Sequence, residues 1–437
     1  MGRGLLLRQA IDARADLGGL ARQAPELARR FAGLCKELDL DDGRSTADSR
    51  RRRVAELDNT LALIRQVPGF SGFLQMPRIA DLLPLAEQGP IVVLNVSELR
   101  SDALILRTDG VSRCSLPGVS PGQVQAQAAA LLSADDLRQQ GGSAAEQAAA
   151  DEGVTAILAW LWEAIAEPVL AALDLLSPVP PDGQWPHVWW VPTGLLSFLP
   201  VHAAQGVDGR CVLDRVISSF APTLHALGFA RRASSSGQPG MLAVAVPSLP
   251  GVAELPAARR EVMAVGELMP CPVDLLSGAE ATREAVLGAL NSHSWAHFAC
   301  HATTDPLFPS RGALMVHGAD TEPLTVADVA RLDLTHAEMA FLSACTTTRS
   351  VPALTDESIH LTSAFQLAGY RHVVGTLWPV SDPVALRAAR AFYGEVAGPG
   401  ALRGERSAAA VHHASRRLRR RFPRRPSCWA AYIHAGG

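Results

Sequence analysis

From residue 241 onward, short apolar runs alternate with amphipathic stretches of helical periodicity. The runs lie at 241–246, 273–276, 295–300, 338–344 and 371–378, and the helical stretches follow at 256–268, 281–291, 325–331, 357–368 and 382–396. Strands that alternate with helices form parallel βαβ units, whose sheet is covered on both faces. The pattern therefore predicts an α/β fold with mainly parallel strands. A last strand is expected at 429–433, at the edge or centre of the sheet.

The chain of 437 residues is long enough for two or three domains. Residues 1–75 are predicted as a helical segment, with helices within 4–39 and 50–66 around a polar linker at 40–50. Such a short helix pair is typical of one unit of a helical repeat array. Residues 76–233 hold β-rich runs at 91–96, 103–106 and 188–192, and an Ala/Gln-rich stretch at 121–150 that we expect to be a mobile helical excursion. A Ser/Gly-rich linker at 234–240 separates this lobe from 241–437.

Composition excludes several classes of function. The formal net charge of −3 gives no general attraction to nucleic acid or anionic membrane. The seven cysteines stand singly, so the spacing of a zinc site is missing. No nucleotide-binding GxxxxGK[ST] loop, signal peptide or apolar run of about 20 residues is evident. We therefore expect a cytoplasmic protein with free thiols, no cofactor, no metal and no membrane span.

Two of the apolar runs end in residues that can carry chemistry. The run at 295–301 ends in His301, and the run at 339–345 ends in Cys345, 44 residues further along. Open α/β sheets place their chemistry at the carboxyl ends of parallel strands, where an imidazole can take the proton of a thiol or stabilise the thiolate. The backbone N–H groups of Ala302 and Cys345 are the natural donors to an oxyanion. The alternative is that Cys345 is a buried small hydrophobe.

Two neighbours of this pair have structural interpretations. Cys300 precedes His301 on the opposite strand face, so burial is the better prediction for it. His297 shares the face of His301 but lies deeper along the strand, as a core or supporting histidine.

The sequence resembles the CHAT domain, a caspase-like cysteine peptidase family of the separase branch. The resemblance covers roughly 85–437 and implies a caspase-like sheet with His301 and Cys345 as catalytic dyad. It also implies a cysteine endopeptidase that cleaves a protein partner in regulated proteolysis of a defence or cell-death type. According to this resemblance, 76–233 is expected to be a catalytically silent lobe. Residues 1–75 are expected to be the remnant of a tetratricopeptide-like array that can bind a regulatory protein. The matching stretches are 89–97, 190–200, 297–301, 324–326, 340–345, 356–361, 375–380 and 429–431.

One position departs from the family pattern. Ala302 stands where the family usually has Gly directly after the histidine. If the backbone there needs a positive φ, Ala costs on the order of 1 kcal/mol. A catalytically weak or inactive interaction scaffold therefore stays open as an alternative.

The substrate groove has four candidate residues. Asp356 and Glu357 are read as an acidic pocket for a basic substrate residue or as charges at a helix N-terminus. Trp378 is expected to stack on the substrate backbone, and Asp382 either borders the groove or caps a helix.

A basic run follows near the end of the chain. The seven arginines within 416–425 favour a solvated helix face or a protein contact over nucleic acid.

Overall fold

The computed structural model describes residues 20–21, 23–39, 47–75, 77–139, 143–180, 183–232, 240–251, 254–303, 312–346, 361–398 and 401–437. Predictions for the first helix, for residues 40–46 of the first linker and for 234–239 of the second lie outside these residues. The chain divides into two compact units, Met1–Leu82 and Leu83–Gly437. The boundary predicted near residue 240 stays a prediction.

The first unit is helical, as the sequence predicts. Its helices are α1 (Pro25–Asp39), α2 (Ala47–Ile64) and the short α3 (Ile79–Leu82). Phe31 on α1 and Ile64 on α2 are buried with Phe73, which meets Phe31 edge-on with ring centroids 5.4 Å apart. The apolar stripes of the two helices thus form one small core. The assignment to a repeat array stays a prediction.

The second unit is built on one extensive sheet. Its strands are β1 (Ile91–Asn95), β2 (Asp102–Arg107), β3 (Gly110–Ser115), β4 (His187–Pro192), β5 (Ile217–Phe220), β6 (Met241–Ala245), β7 (Val273–Ser277), β8 (Trp295–Thr303), β9 (Ala313–Met315), β10 (Leu324–Thr325), β11 (Met339–Thr346), β12 (His372–Thr376) and β15 (Tyr432–Gly436). A separate two-stranded ribbon consists of β13 (Ala397–Gly398) and β14 (Ala401–Leu402). The helices are α4 (Pro121–Gln139), α5 (Ala144–Leu161), α6 (Glu167–Ala172), α7 (Leu224–Arg232), α8 (Ala258–Gly266), α9 (Arg283–Leu290), α10 (Val326–Ala330), α11 (Leu361–Ala368), α12 (Asp382–Val396) and α13 (Ser407–Arg421).

The sheet contains two blocks of parallel strands that run in opposite directions. In the first block, β7, β6, β8, β11 and β12 are parallel neighbours in that order. In the second block, β15, β5, β4 and β1 are parallel, and β2 and β3 extend it as an antiparallel edge. The blocks meet where β12 pairs antiparallel with β15. The mixed α/β fold with a mostly parallel central sheet confirms the predicted fold class.

The last strand lies three residues later than predicted. The expected range was 429–433, whereas β15 spans Tyr432–Gly436. Trp429 and Ala430 are fully buried but follow a short 3-10 turn before the strand begins. Their apolar character reflects burial, and a buried turn of the core is as apolar as a buried strand. The strand lies at the centre of the sheet, between β12 and β5.

Helices cover both faces of the first block. One face of β8 and β11, including Trp295 and Phe341, packs towards α8 and α12. The other face, including Phe298 and Leu342, packs with α9, α10 and α11. The strict alternation follows from the period of two along a strand.

The described parts of the Ala/Gln-rich stretch, 121–139 and 143–150, form helices that pack in the core, where the sequence predicted a mobile excursion. α4 and α5 form a hairpin, and Ser143 and Glu146 close a capping box at the start of α5. The helix continues through a π-helical turn (162–166) into α6. The combined Ala144–Ala172 helix is long and apolar enough to span a membrane, but Val154, Leu161 and other apolar residues of it are buried in the core. Packing within the protein therefore accounts for its apolar character.

A chain of buried polar side chains crosses the junction of the two blocks. His187 Nε2 lies 2.7 Å from Ser219 Oγ, and Ser219 Oγ lies 2.6 Å from His434 Nδ1. His434 Nε2 lies 3.2 Å from His372 Nδ1. Burial lowers the pKa of all three imidazoles, that of His434 to about 3, so they are neutral in the folded protein. We call these four residues the histidine seam.

Candidate active site

The backbone register brings the two predicted reactive positions side by side. β8 and β11 pair in parallel from Trp295 with Met339 up to Ala302 with Thr346, and in this ladder Cys345 is the direct partner of His301. Register partners on neighbouring parallel strands are about 4.8 Å apart and belong to the same face of the sheet. The structure therefore brings these two positions together. For residues 344–346 it describes the backbone alone.

The surroundings of His301 differ from the prediction in one respect. The strand was expected to end at residue 300, but β8 continues to Thr303, because β9 pairs antiparallel with its last three residues. His301 is half-buried between β9 and β11, and the side chain of Ala302 is buried. The described residues with positive φ other than glycine are Leu74 and Asp174. The backbone at Ala302 is therefore free of left-handed strain in this conformation.

His297 is a core residue, as predicted, and it has two buried partners. Its Nε2 lies 3.1 Å from Glu261 Oε1 on α8, and its Nδ1 lies 3.1 Å from Tyr393 Oη on α12. Burial, with Glu261 nearby, raises the pKa of Tyr393 well above 10. The three side chains tie α8 and α12 to β8 at a position four residues before His301 along the strand.

Cys300 is buried on the opposite face of β8, which confirms its structural interpretation. Burial raises the pKa of its thiol to about 12, so it remains protonated and unreactive at neutral pH.

Two of the four groove candidates have structural contacts. Trp378 is 2 % exposed, and its Nε1 donates to the carbonyl of Ser427 at 2.9 Å. Asp382 is the first residue of α12, and its Oδ2 accepts from the backbone N–H of Ala257 at 3.0 Å. In this conformation Trp378 packs in the core, and Asp382 links the start of α12 to the start of α8. Asp356 and Glu357 lie outside the described residues.

Much of the basic run makes ion pairs within the protein. Arg419 and Arg416 lie 2.7 and 3.7 Å from the carboxylate of Asp214. Arg417 lies 2.8 Å from Glu395, and Arg425 lies 3.6 Å from Asp151. These contacts account for four of the seven arginines as part of the fold.

Sequence reasoning missed the residues that support the site. Glu261 has the helical spacing of a buried position, with Ala258, Val262 and Val265 as its apolar neighbours on α8. A single carboxylate within an apolar helical stripe is the signal that could have identified it. Arg138 and Asp151 carry no comparable signal, since the loop residues that they contact, Pro379 and Ser427, are more than 200 residues further along the chain.

The arrangement suits thiol chemistry assisted by an imidazole. A free thiol is only a few per cent ionised at neutral pH, and an adjacent imidazole raises the reactive fraction. Among the described residues, no group of three His, Cys, Asp or Glu side chains could hold a metal ion.

The chain is similar to one known protein family in sequence and to several solved structures in fold. The sequence profile of the CHAT domain family matches residues 155–437, more than half of the chain. Two crystal structures of the separase–securin complex from Saccharomyces cerevisiae share the fold with a TM-score of 0.56, at 10% and 9% sequence identity. They cover 94% of this chain, which spans about a third (36% and 33%) of their length. The Arg-specific cysteine proteinase gingipain R aligns over 63% of this chain and 68% of its own, with a TM-score of 0.41 and 10% identity. None of the curated proteins matches this chain.

Proposed function

Because this chain belongs to the CHAT domain family, we propose that it is a cysteine endopeptidase whose dyad is His301 and Cys345. The observation that carries the proposal is the register of β8 and β11, in which these two positions are direct partners. The matching order of motifs along 85–437 supports it.

In the proposed reaction, the thiolate of Cys345 attacks the carbonyl carbon of a peptide bond. His301 takes the thiol proton and delivers it to the leaving amine, and a water molecule then hydrolyses the thioester. The backbone N–H groups of Ala302 and Cys345 are our proposed oxyanion donors. Both residues belong to the last rungs of the β8–β11 ladder, and such donors stabilise the charge that develops in the transition state.

The substrate in this proposal is a protein, and a second protein regulates the enzyme through the helical unit at 1–75. The separase structures were solved in complex with securin, which supports a protein partner for this fold. Asp356 and Glu357 are proposed to select a basic substrate residue. We place the protein in the cytoplasm, in a regulated proteolysis system.

Labelling with a peptide electrophile tests the dyad. The wild-type protein should be modified selectively at Cys345, and His301→Ala should slow this modification by a factor of about 10² or more. His317→Ala is the matched control, because His317 is exposed and lies outside the dyad. Equal labelling of His301→Ala and wild type would contradict the assignment.

Proteome profiling then tests proteolysis itself. Incubation of a mixed proteome with wild type should generate new N-termini that Cys345→Ala does not generate. Cys114→Ala should behave as wild type, because Cys114 lies on β3 at the far edge of the sheet. Identical profiles for wild type and Cys345→Ala would refute the peptidase proposal.

A catalytically weak or inactive interaction scaffold is the alternative, which the sequence raises through Ala302 in place of the family's usual Gly, although the backbone at Ala302 is free of left-handed strain. The scaffold predicts no selective labelling of Cys345, whereas the enzyme predicts labelling that depends on His301.

A further inference from the structure

Two charged residues of the α4–α5 hairpin, Arg138 and Asp151, contact two loops at the edge of the sheet where His301 and Cys345 lie, and a third, Asp135, pairs with Arg138. Arg138, in the last turn of α4, lies 2.5 Å from Asp135 through its Nη2 atom, which also donates to the carbonyl of Pro379 at 3.1 Å. Its guanidinium carbon lies 6.0 Å from the ring centre of Trp378. Arg138 therefore holds the segment that follows β12.

Asp151, on α5, holds the segment that precedes β15. Its Oδ1 accepts from the backbone N–H of Ser427 at 3.1 Å, and its Oδ2 lies 3.6 Å from Arg425. The side chain of Asp151 is almost completely buried. The two segments are also bound to each other, since Trp378 Nε1 donates to the carbonyl of Ser427. We call Arg138, Asp135 and Asp151 the clasp.

The clasped segment follows β12, the strand that neighbours the one with the proposed nucleophile. β11 and β12 pair up to Phe341 with Val374. The same register, continued by four residues on both strands, would bring position 378 level with Cys345. On its other side the segment is fixed by the N–H of Ala257, which donates to Asp382. The segment 377–382 is thus held from the hairpin and from the start of α8, and it directly follows β12, the neighbour of the strand that carries Cys345.

Buried charges of this kind are poor sources of stability, because desolvation offsets most of their attraction. Hydrophobic residues would hold the hairpin as well, but they would not select one position for the carbonyl of Pro379 or the N–H of Ser427. The contacts are directional and act on backbone groups of two loops.

We propose that Arg138 and Asp151 are positioning residues, which set the conformation of the 377–382 segment and through it the reactivity of Cys345. The second part of this inference, the effect on the reactivity of Cys345, rests on the proposed function. The catalytic block therefore depends on the lobe at 76–233, although that lobe contributes no residue to the dyad.

The test uses variants that leave no unpaired buried charge. Arg138→Met with Asp135→Asn removes the ion pair and keeps the side-chain volume, and Asp151→Leu removes the acceptor of the Ser427 N–H. Arg417→Met is the matched control, because it breaks an ion pair with Glu395 that is away from both loops. Hydrogen exchange is followed in peptides over 376–385, together with the rate of labelling of Cys345 by a peptide electrophile.

We expect exchange of the Leu377 amide, which donates to the carbonyl of Ala431, to accelerate by about tenfold in both clasp variants, as for the loss of one hydrogen bond to a charged group. Labelling of Cys345 should slow by a similar factor, and Arg417→Met should change neither quantity. Unchanged exchange in both clasp variants would overturn the proposal, and so would faster exchange with unchanged labelling. If the wild type itself is not labelled, the proposed function fails, whereas the exchange data still decide whether the clasp holds the segment.

Discussion

Cys345 is the register partner of His301 on the adjacent parallel strand, one rung before the described β8–β11 ladder ends. Two residues that are 44 positions apart in the sequence are thereby brought to neighbouring backbone positions by a single crossover connection, which includes β9, β10 and α10. The pairing is a property of the sheet register, and a shift of one residue would move one of the two positions to the opposite face.

The backbone at Ala302 leads to a first prediction. The residue lies within β8 and has no positive φ, so Ala302→Gly relieves no strain. We expect the variant to lose about 0.5–1 kcal/mol of unfolding free energy, because glycine has more conformational freedom to lose. Its rate of Cys345 labelling should equal that of the wild type. A labelling rate raised by tenfold or more would show that the reactive state needs a different backbone conformation at this position.

The buried pair beneath the dyad leads to a second prediction. His297→Leu leaves the side chain of Glu261 buried without its imidazole partner, which should cost about 1–3 kcal/mol of unfolding free energy. The double variant His297→Leu with Glu261→Met should lose less than His297→Leu alone, because no carboxyl group is left buried without its partner. Urea unfolding of the wild type, of the single variants His297→Leu and Glu261→Met, and of the double variant measures the difference. Additive losses would contradict a direct interaction between the two side chains.

The histidine seam leads to a third prediction, on acid sensitivity. His187, His372 and His434 have folded-state pKa values below the usual 6.5, so the unfolded chain binds more protons as the pH falls. Each therefore contributes stability that is present above pH 6.5 and decreases by about 1.4 kcal/mol per pH unit below it, until the folded-state pKa is reached. The charged groups nearest the seam are Glu338, Arg371 and Arg231.

Unfolding free energy should accordingly be nearly constant from pH 8 to pH 7 and decrease steeply between pH 6.5 and pH 4.5. In His434→Gln, one fewer proton is taken up on unfolding, so the slope of unfolding free energy against pH over this interval should be smaller by about 1.4 kcal/mol per pH unit. The variant should nevertheless be less stable than the wild type at neutral pH. Equal slopes in His434→Gln and the wild type would refute this account.

The residue after α11 leads to a fourth prediction. Gly369 has a φ of +125°, and a Cβ atom there would lie 2.3 Å from the carbonyl oxygen of Leu334. Gly369→Ala should therefore cost more than about 2 kcal/mol, because both the backbone and its neighbour must move. Gly394→Ala is the contrasting case, since it lies within α12 with open space around it. That change should add about 0.5–1 kcal/mol, and thermal unfolding of the two variants should shift in opposite directions.

The local pattern predicted the first block of the sheet because its strands are continuous apolar runs between helices. The same logic failed for β3 and β5, which are polar along part of their length, as in 110–115 and 217–220. β3 is an edge strand with exposed residues, and β5 has Ser219 inside the histidine seam. Burial of polar groups through hydrogen bonds leaves no hydrophobic signal in the sequence.

The candidate site was predictable to the extent that it depends on strand ends. His301 and Cys345 each stand at the end of an apolar run, and the ends of such runs can be recognised in the sequence. The packing of Trp378 was not, because Ser427 and Arg138 approach it from segments 49 and 240 residues away along the chain. Contacts of such separation depend on the order of strands in the sheet, which local periodicity does not determine.

The position of β15 has a consequence for biosynthesis. Ribosomes deliver the chain from its amino end, so the strand that joins the two described blocks emerges after all the strands that it joins. Until residues 432–436 are available, β12 and β5 each present an open edge, which is a template for aggregation. A premature stop between β12 and this strand would therefore leave the two blocks unjoined, so a nascent chain that already contains both His301 and Cys345 would still lack the strand that connects them.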